Sequence, residues 1–137
     1  MFNGKHSFKK QERIVSQKLI DELFLSGKSH SLAAFPLRAV FMYIERQEGA
    51  QPIQVLMSVP KKRFKHAVDR NRVKRQLREA YRHHRDILLN HIPDDKSIAL
   101  AFIWLSDAHV PSAVVEKRVV SLLKRIPTPY PSPMEED

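Results

Sequence analysis

Apolar residues recur along the chain with two different periods. After Ser16, the residues Leu19, Ile20, Leu23 and Phe24 return at three- and four-residue steps, which predicts an amphipathic helix stopped near Gly27. Ser16 suits its N-cap, and Asp21 and Glu22 lie toward the positive end of its macrodipole. Residues 32–44, LAAFPLRAVFMYI, and 53–59, IQVLMSV, are dense in aliphatic and aromatic side chains and predict two strands. Pro36 confines the early part of the first to an edge or a bulge. ERQEGAQP, residues 45–52, reads as a turn or hairpin loop punctuated by Gly49 and Pro52. A helical pattern then runs to about Asn90, HIPDDK at 91–96 makes a turn, and SIALAFIWL at 97–105 suits a central strand covered on both faces. Val114, Val115, Val119, Leu122 and Leu123 mark a last helix over 111–126, with Pro111 tolerable in its first turn. The order predicts a single-domain α+β sandwich over residues 1–126, one sheet with helices packed on it. Phe2 and Phe8 are candidate anchors in the polar, basic N-terminus, and residues 127–137, PTPYPSPMEED, are expected to form a disordered, acidic, proline-rich tail.

Composition changes this picture mainly through charge. The 137 residues hold 24 basic and 15 acidic side chains, net +9, and the pI near 10 points to a polyanion, nucleic acid before an anionic membrane. No apolar run is long enough to span a bilayer and the N-terminus lacks the apolar stretch of a secretory signal, so a cytoplasmic protein without a membrane partner is expected. The absence of cysteine excludes disulfides, thiol catalysis and cysteine-based zinc sites. The charge excess is localised: Lys61 to Arg85, KKRFKHAVDRNRVKRQLREAYRHHR, has eleven Lys/Arg against Asp69 and Glu79, so it alone carries +9.

Projected at about 100° per residue, this segment separates two faces. Val73, Leu77, Ala80, Tyr81, His84, Ile87 and Leu88 share one arc, and Lys74, Arg75, Arg78, Arg82 and Arg85 share the next, with Asn71 among them. Like charges at Lys74/Arg78 and Arg78/Arg82 destabilise an isolated helix by a few tenths of a kcal/mol per pair, with no acid on that arc to offset them. An ordinary solvated face mixes signs, so phosphate binding is the better reading, and planar guanidinium forks suit phosphate oxygens. Lys61, Lys62, Arg63 and Lys65 extend the patch ahead of the helix.

Ser58 to Arg82, SVPKKRFKHAVDRNRVKRQLREAYR, resembles the signature of the bacterial ribonuclease P protein component. That pattern is S-V-x-K-K, four spacers, then A-V-x-R-N-R-x-K-R-x-x-R, and twelve positions answer it: Ser58, Val59, Lys61, Lys62, Ala67, Val68, Arg70, Asn71, Arg72, Lys74, Arg75 and Arg78. SFKKQERI with LIDELFLSGKS is similar to the family's first helix and AFPLRAVF to its first strand, so the resemblance spans roughly residues 7–126. It implies a fold like the second domain of ribosomal protein S5, with a central sheet of about four strands and a left-handed β-α-β crossover carrying the Arg-Asn-Arg helix. It implies an RNA-binding subunit that helps a catalytic RNA remove the 5′ leader of precursor tRNA, one protein per RNA. Hydrolysis and Mg²⁺ then belong to the RNA, with no catalytic residue and no metal on the protein.

Under that resemblance Lys61, Lys62, Arg63, Lys65, Arg70, Asn71, Arg72, Lys74, Arg75, Arg78 and Arg82 are expected to bind RNA. A cleft between the first helix and the sheet is expected to take the leader through Ile20, Phe24 and Arg38. Many members have two aromatics at the positions of Ile20 and Phe24; here Phe24 can stack on a base and Ile20 offers only an apolar contact, and plain core packing is the competing reading for both. The other functional reading is a ribosomal or assembly protein with no part in cleavage. Asp94-Asp95 reads as a turn rather than an acid–base pair, the histidines form no metal-binding pattern, and His84 is expected to be buried and hydrogen-bonded. His83 is a further candidate RNA contact.

Overall fold

A computed structural model of the chain describes residues 13–14 and 16–126; the expectations for Phe2, Phe8 and the tail at 127–137 lie outside them. The first helix, α1 (Gln17–Leu25), starts where expected, with the Ser16 hydroxyl accepting from the Leu19 N–H at 3.2 Å. Gly27 follows at φ +77°, a left-handed conformation open to glycine. β1 (His30–Ala34), β2 (Leu37–Glu45), β3 (Ile53–Ser58), α2 (Ala67–His84), the short α3 (Asp86–Leu89), β4 (Lys96–Trp104) and α4 (Ser112–Arg125) complete the chain.

The four strands form one sheet in the order β1-β2-β4-β3. β1 and β4 each run antiparallel to β2, whereas β3 runs parallel to β4. Two expectations change here. Residues 32–44 are not one strand: the chain reverses at Phe35-Pro36, a cis peptide, and β1 folds back on β2 with Ala34 opposite Leu37. The 45–52 loop is also not a hairpin, because β4 lies between β2 and β3.

β4 is buried along most of its length, as expected for the central strand. Its Ile98, Leu100, Phe102 and Trp104 point with Leu37, Ala39 and Phe41 of β2 into the larger core cluster, which α2 and α4 cover through Val73, Leu77, Tyr81, Val115, Val119 and Leu122. The intervening Ala99 and Ala101 face the other side with Val40 and Met42, under Leu23 of α1. Small side chains on that side let the two-turn helix approach closely. α1 and α2 therefore lie on opposite faces of the sheet, each amphipathic helix driven down by its own apolar stripe. Full burial of a leucine such as Leu77 contributes about 1.5–3 kcal/mol, so α2 is firmly seated in spite of its charge.

Candidate nucleic-acid interface

The apolar arc of α2 is buried as the projection predicts at Val73, Leu77, Ala80 and Tyr81, and this fixes the direction of its cationic arc. Asn71, Arg72 and Arg75 are exposed, and Lys74 and Arg78 are half-buried. Lys61, Lys62 and Lys65 are exposed in the connection between β3 and α2.

Three of the ten predicted cations are held by the protein itself, leaving seven. Arg63 pairs with Asp107 at 3.3 Å. Arg70 donates to the carbonyls of Phe64 at 2.8 Å and Lys65 at 3.0 Å, tying the first turn of α2 to the loop before it. Arg82 pairs with Glu79 at 2.7 Å, so an acid does reach the cationic arc. The Arg82 guanidinium, chiefly as hydrogen-bond donor, holds the Glu79 carboxyl below the usual carboxylate range against the opposing effect of burial. Arg85 leaves the arc altogether: it is buried between α2 and α3. His84 is half-exposed rather than buried and meets Glu116 of α4 at 2.6 Å; His83 is exposed beside Glu79.

The loop with Lys61, Lys62 and Lys65 is stiffened from the other side. Phe64 is buried and stacks on His109 with ring centroids 4.6 Å apart, and His109 reaches Asp69 in the first turn of α2 at 3.0 Å. Gln76 donates to Val110 O at 2.9 Å. The 105–111 connection thus clamps both the loop and the helix, leaving their cations preset for a rigid partner.

On the opposite face, α1 and the β1–β2 end of the sheet enclose a cleft of about 330 Å³. Phe24 and Arg38 both line it. Phe24 is 41% exposed, so it is not simply core. Arg38 is exposed and its Nε donates to Ser31 Oγ at 2.7 Å, which aims the guanidinium. Ile20 does not line the cleft; it packs half-buried against the smaller core cluster. Ser29, His30 and Ser31 also line it and escaped the sequence reading, since they belong neither to an apolar pattern nor to the basic motif. Among the described residues neither surface carries a carboxylate cluster, and no group of three His, Cys, Asp or Glu side chains is placed to hold a metal.

The family model for "Ribonuclease P" matches residues 8–127, nearly the whole chain. The chain belongs to the ribonuclease P protein family. The "Ribonuclease P protein component" of Porphyromonas gingivalis is 38% identical over 125 residues, covering 90% of this chain and 88% of that one. That of Chlorobium phaeobacteroides is 38% identical over 90 residues, 64% of this chain and 62% of its own. Among solved structures, the RNase P protein from Thermotoga maritima in complex with 1-(4-fluorophenyl)-2-thiourea superposes with TM-score 0.59 at 24% identity, covering 82% of this chain and 99% of that one. A Staphylococcus aureus RNase P protein mutant with defective mRNA degradation activity gives TM-score 0.64 at 22% identity, covering 84% and 87%. These likenesses support the α+β ribonuclease P protein fold. The role that goes with the family is that of a ribonuclease P subunit, and the ribosomal or assembly-protein alternative is not favoured.

Proposed function

We propose that the cationic face of α2, with the loop before it, holds the catalytic RNA of ribonuclease P, and that the α1 cleft takes the 5′ leader of precursor tRNA. The observation that carries this reading is the set of seven cations for which no described residue supplies a counter-charge, on and before one clamped helix, on the sheet face opposite a cleft lined by Phe24 and Arg38. The catalytic RNA and its substrate are both polyanions and repel each other. A basic protein with two nucleic-acid surfaces lowers that repulsion and so favours the Mg²⁺-loaded complex at lower metal concentration. Hydrolysis and Mg²⁺ are assigned to the RNA, and the protein supplies positioning rather than a reacting group. One protein per RNA in the cytoplasm completes the reading.

The test is cleavage of a precursor tRNA by protein alone, by the cognate RNA alone, and by both at low Mg²⁺. Acceleration only in the mixture is expected; cleavage by the RNA-free protein at a comparable rate would refute the division of labour. Sequencing the RNA retained on tagged protein should recover the catalytic RNA, and recovery of ribosomal RNA alone would refute the partner.

A further inference from the structure

Arg13 lies outside the motif, yet the fold brings it to the same helix. The Ile14 N–H donates to Val55 O at 3.1 Å, making Arg13 a parallel bridge partner of Val55 on the outer edge of β3. Between this short edge segment and α2 runs a groove of about 200 Å³. Arg13, Lys74 and Arg78 are its cations, Ile14, Val55, Leu56 and Met57 give it an apolar lining, and among the described residues no carboxylate lines it. Arg13 is exposed. Burial of Arg78 and then the nearby Arg13 and Arg75 guanidiniums push its pKa down from the ordinary arginine value. The fold thus gathers cations against their mutual repulsion, which a polyanion relieves.

We propose that the groove at the outer edge of β3 binds a phosphodiester segment of the ribonuclease P RNA, with Arg13, Lys74 and Arg78 on its phosphates. The apolar lining of the groove lies under a ribose or an unstacked base, a surface that needs no particular sequence. The inference rests on the proposed RNA-binding role of α2 and carries that surface around the sheet edge.

The experiment uses the full chain with the catalytic RNA, measuring affinity from about 50 to 200 mM KCl for the parent, Arg13→Ala, Arg13→Lys and Arg72→Ala. Circular dichroism checks that each variant folds. Arg13→Ala is expected to bind severalfold more weakly and to flatten the log–log salt slope by about one unit, while Arg13→Lys keeps the slope. Arg13→Ala combined with Arg78→Ala should lose less than the product of the two single losses, as expected for residues that share a phosphate. If Arg72→Ala weakens binding but Arg13→Ala stays within about twofold with an unchanged slope, this inference is overturned and the role of α2 stands. If Arg72→Ala is silent as well, the role of α2 itself falls. Weakening confined to leader-bearing precursor tRNA would give the groove to the substrate and overturn the assignment to the catalytic RNA.

Discussion

Deleting one arginine at a time distinguishes side chains that α2 offers outward from those that hold it in place. Arg75 is exposed, and no hydrogen bond or ion pair ties its guanidinium to a described residue. Arg75→Ala should leave stability to urea within about 0.5 kcal/mol of the parent. If each of the seven outward cations meets one phosphate, log K falls with log salt at a slope of about −5 to −6. Loss of one contact flattens that slope by just under one unit, so a fourfold rise in salt costs the variant about 3.5-fold less affinity than the parent. Arg70→Ala is the opposite case. It removes two charge-assisted hydrogen bonds to backbone carbonyls at 2.8 and 3.0 Å, the second of them exposed. Stability should fall by about 1.5 kcal/mol, the low end for bonds to a charged group, with a smaller change in slope. The paired assay is urea denaturation of the free protein and RNA binding between about 50 and 200 mM KCl. The reasoning fails if Arg70→Ala flattens the slope as fully as Arg75→Ala while costing no stability, or if Arg75→Ala destabilises the fold by more than about 1 kcal/mol.

Glu79→Gln should release Arg82 and tighten RNA binding severalfold at low salt, read in the same titration. Because the Glu79 carboxyl is held below its ordinary range, its small stabilisation is present above about pH 4.3, the unfolded value, and is lost as pH falls through the folded one. Denaturation between pH 7 and 3 should therefore show less acid sensitivity in Glu79→Gln than in the parent. Phe24→Ala should weaken leader-bearing precursor tRNA by about 1–3 kcal/mol, the worth of one stacked base, and leave leaderless tRNA unchanged; equal losses on both would remove the leader from that cleft. Leu77→Ala, at a fully buried position of α2, should cost about 2–5 kcal/mol in urea denaturation.

Elements with one-sided or fully apolar patterns were legible in the sequence: the buried stripe of α2, the central strand β4 and the Ser16 cap. Periodicity failed where tertiary partners decide. A run that is apolar on both faces does not show where it reverses, so β1 and β2 read as one strand and only Pro36 hinted otherwise. The partition of the cations followed the same rule. The charge run placed Arg63 and Arg70 with the others, but Asp107 lies on a distant loop and the Arg70 acceptors are main-chain carbonyls. Arg82 was the readable case, since Glu79 sits three residues before it. His84 is hydrogen-bonded as expected but half-exposed rather than buried, since its partner Glu116 lies at the rim of another helix. The cleft was legible through Phe24 and Arg38, while Ile20, one turn earlier, went to the core.

The position of α2 between two neighbouring parallel strands has a consequence for biosynthesis. Ile53 pairs with Ile98, and the whole motif is threaded between them. Such a ladder closes only after a long loop has been ordered, a slow, high-contact-order step. A nascent chain halted before β4 would hold every motif arginine yet lack the strand on which Leu77 and Tyr81 rest. Such a fragment carries its cations without the sheet that aims them, and the directed face of α2 forms only once the chain has been made through residue 104.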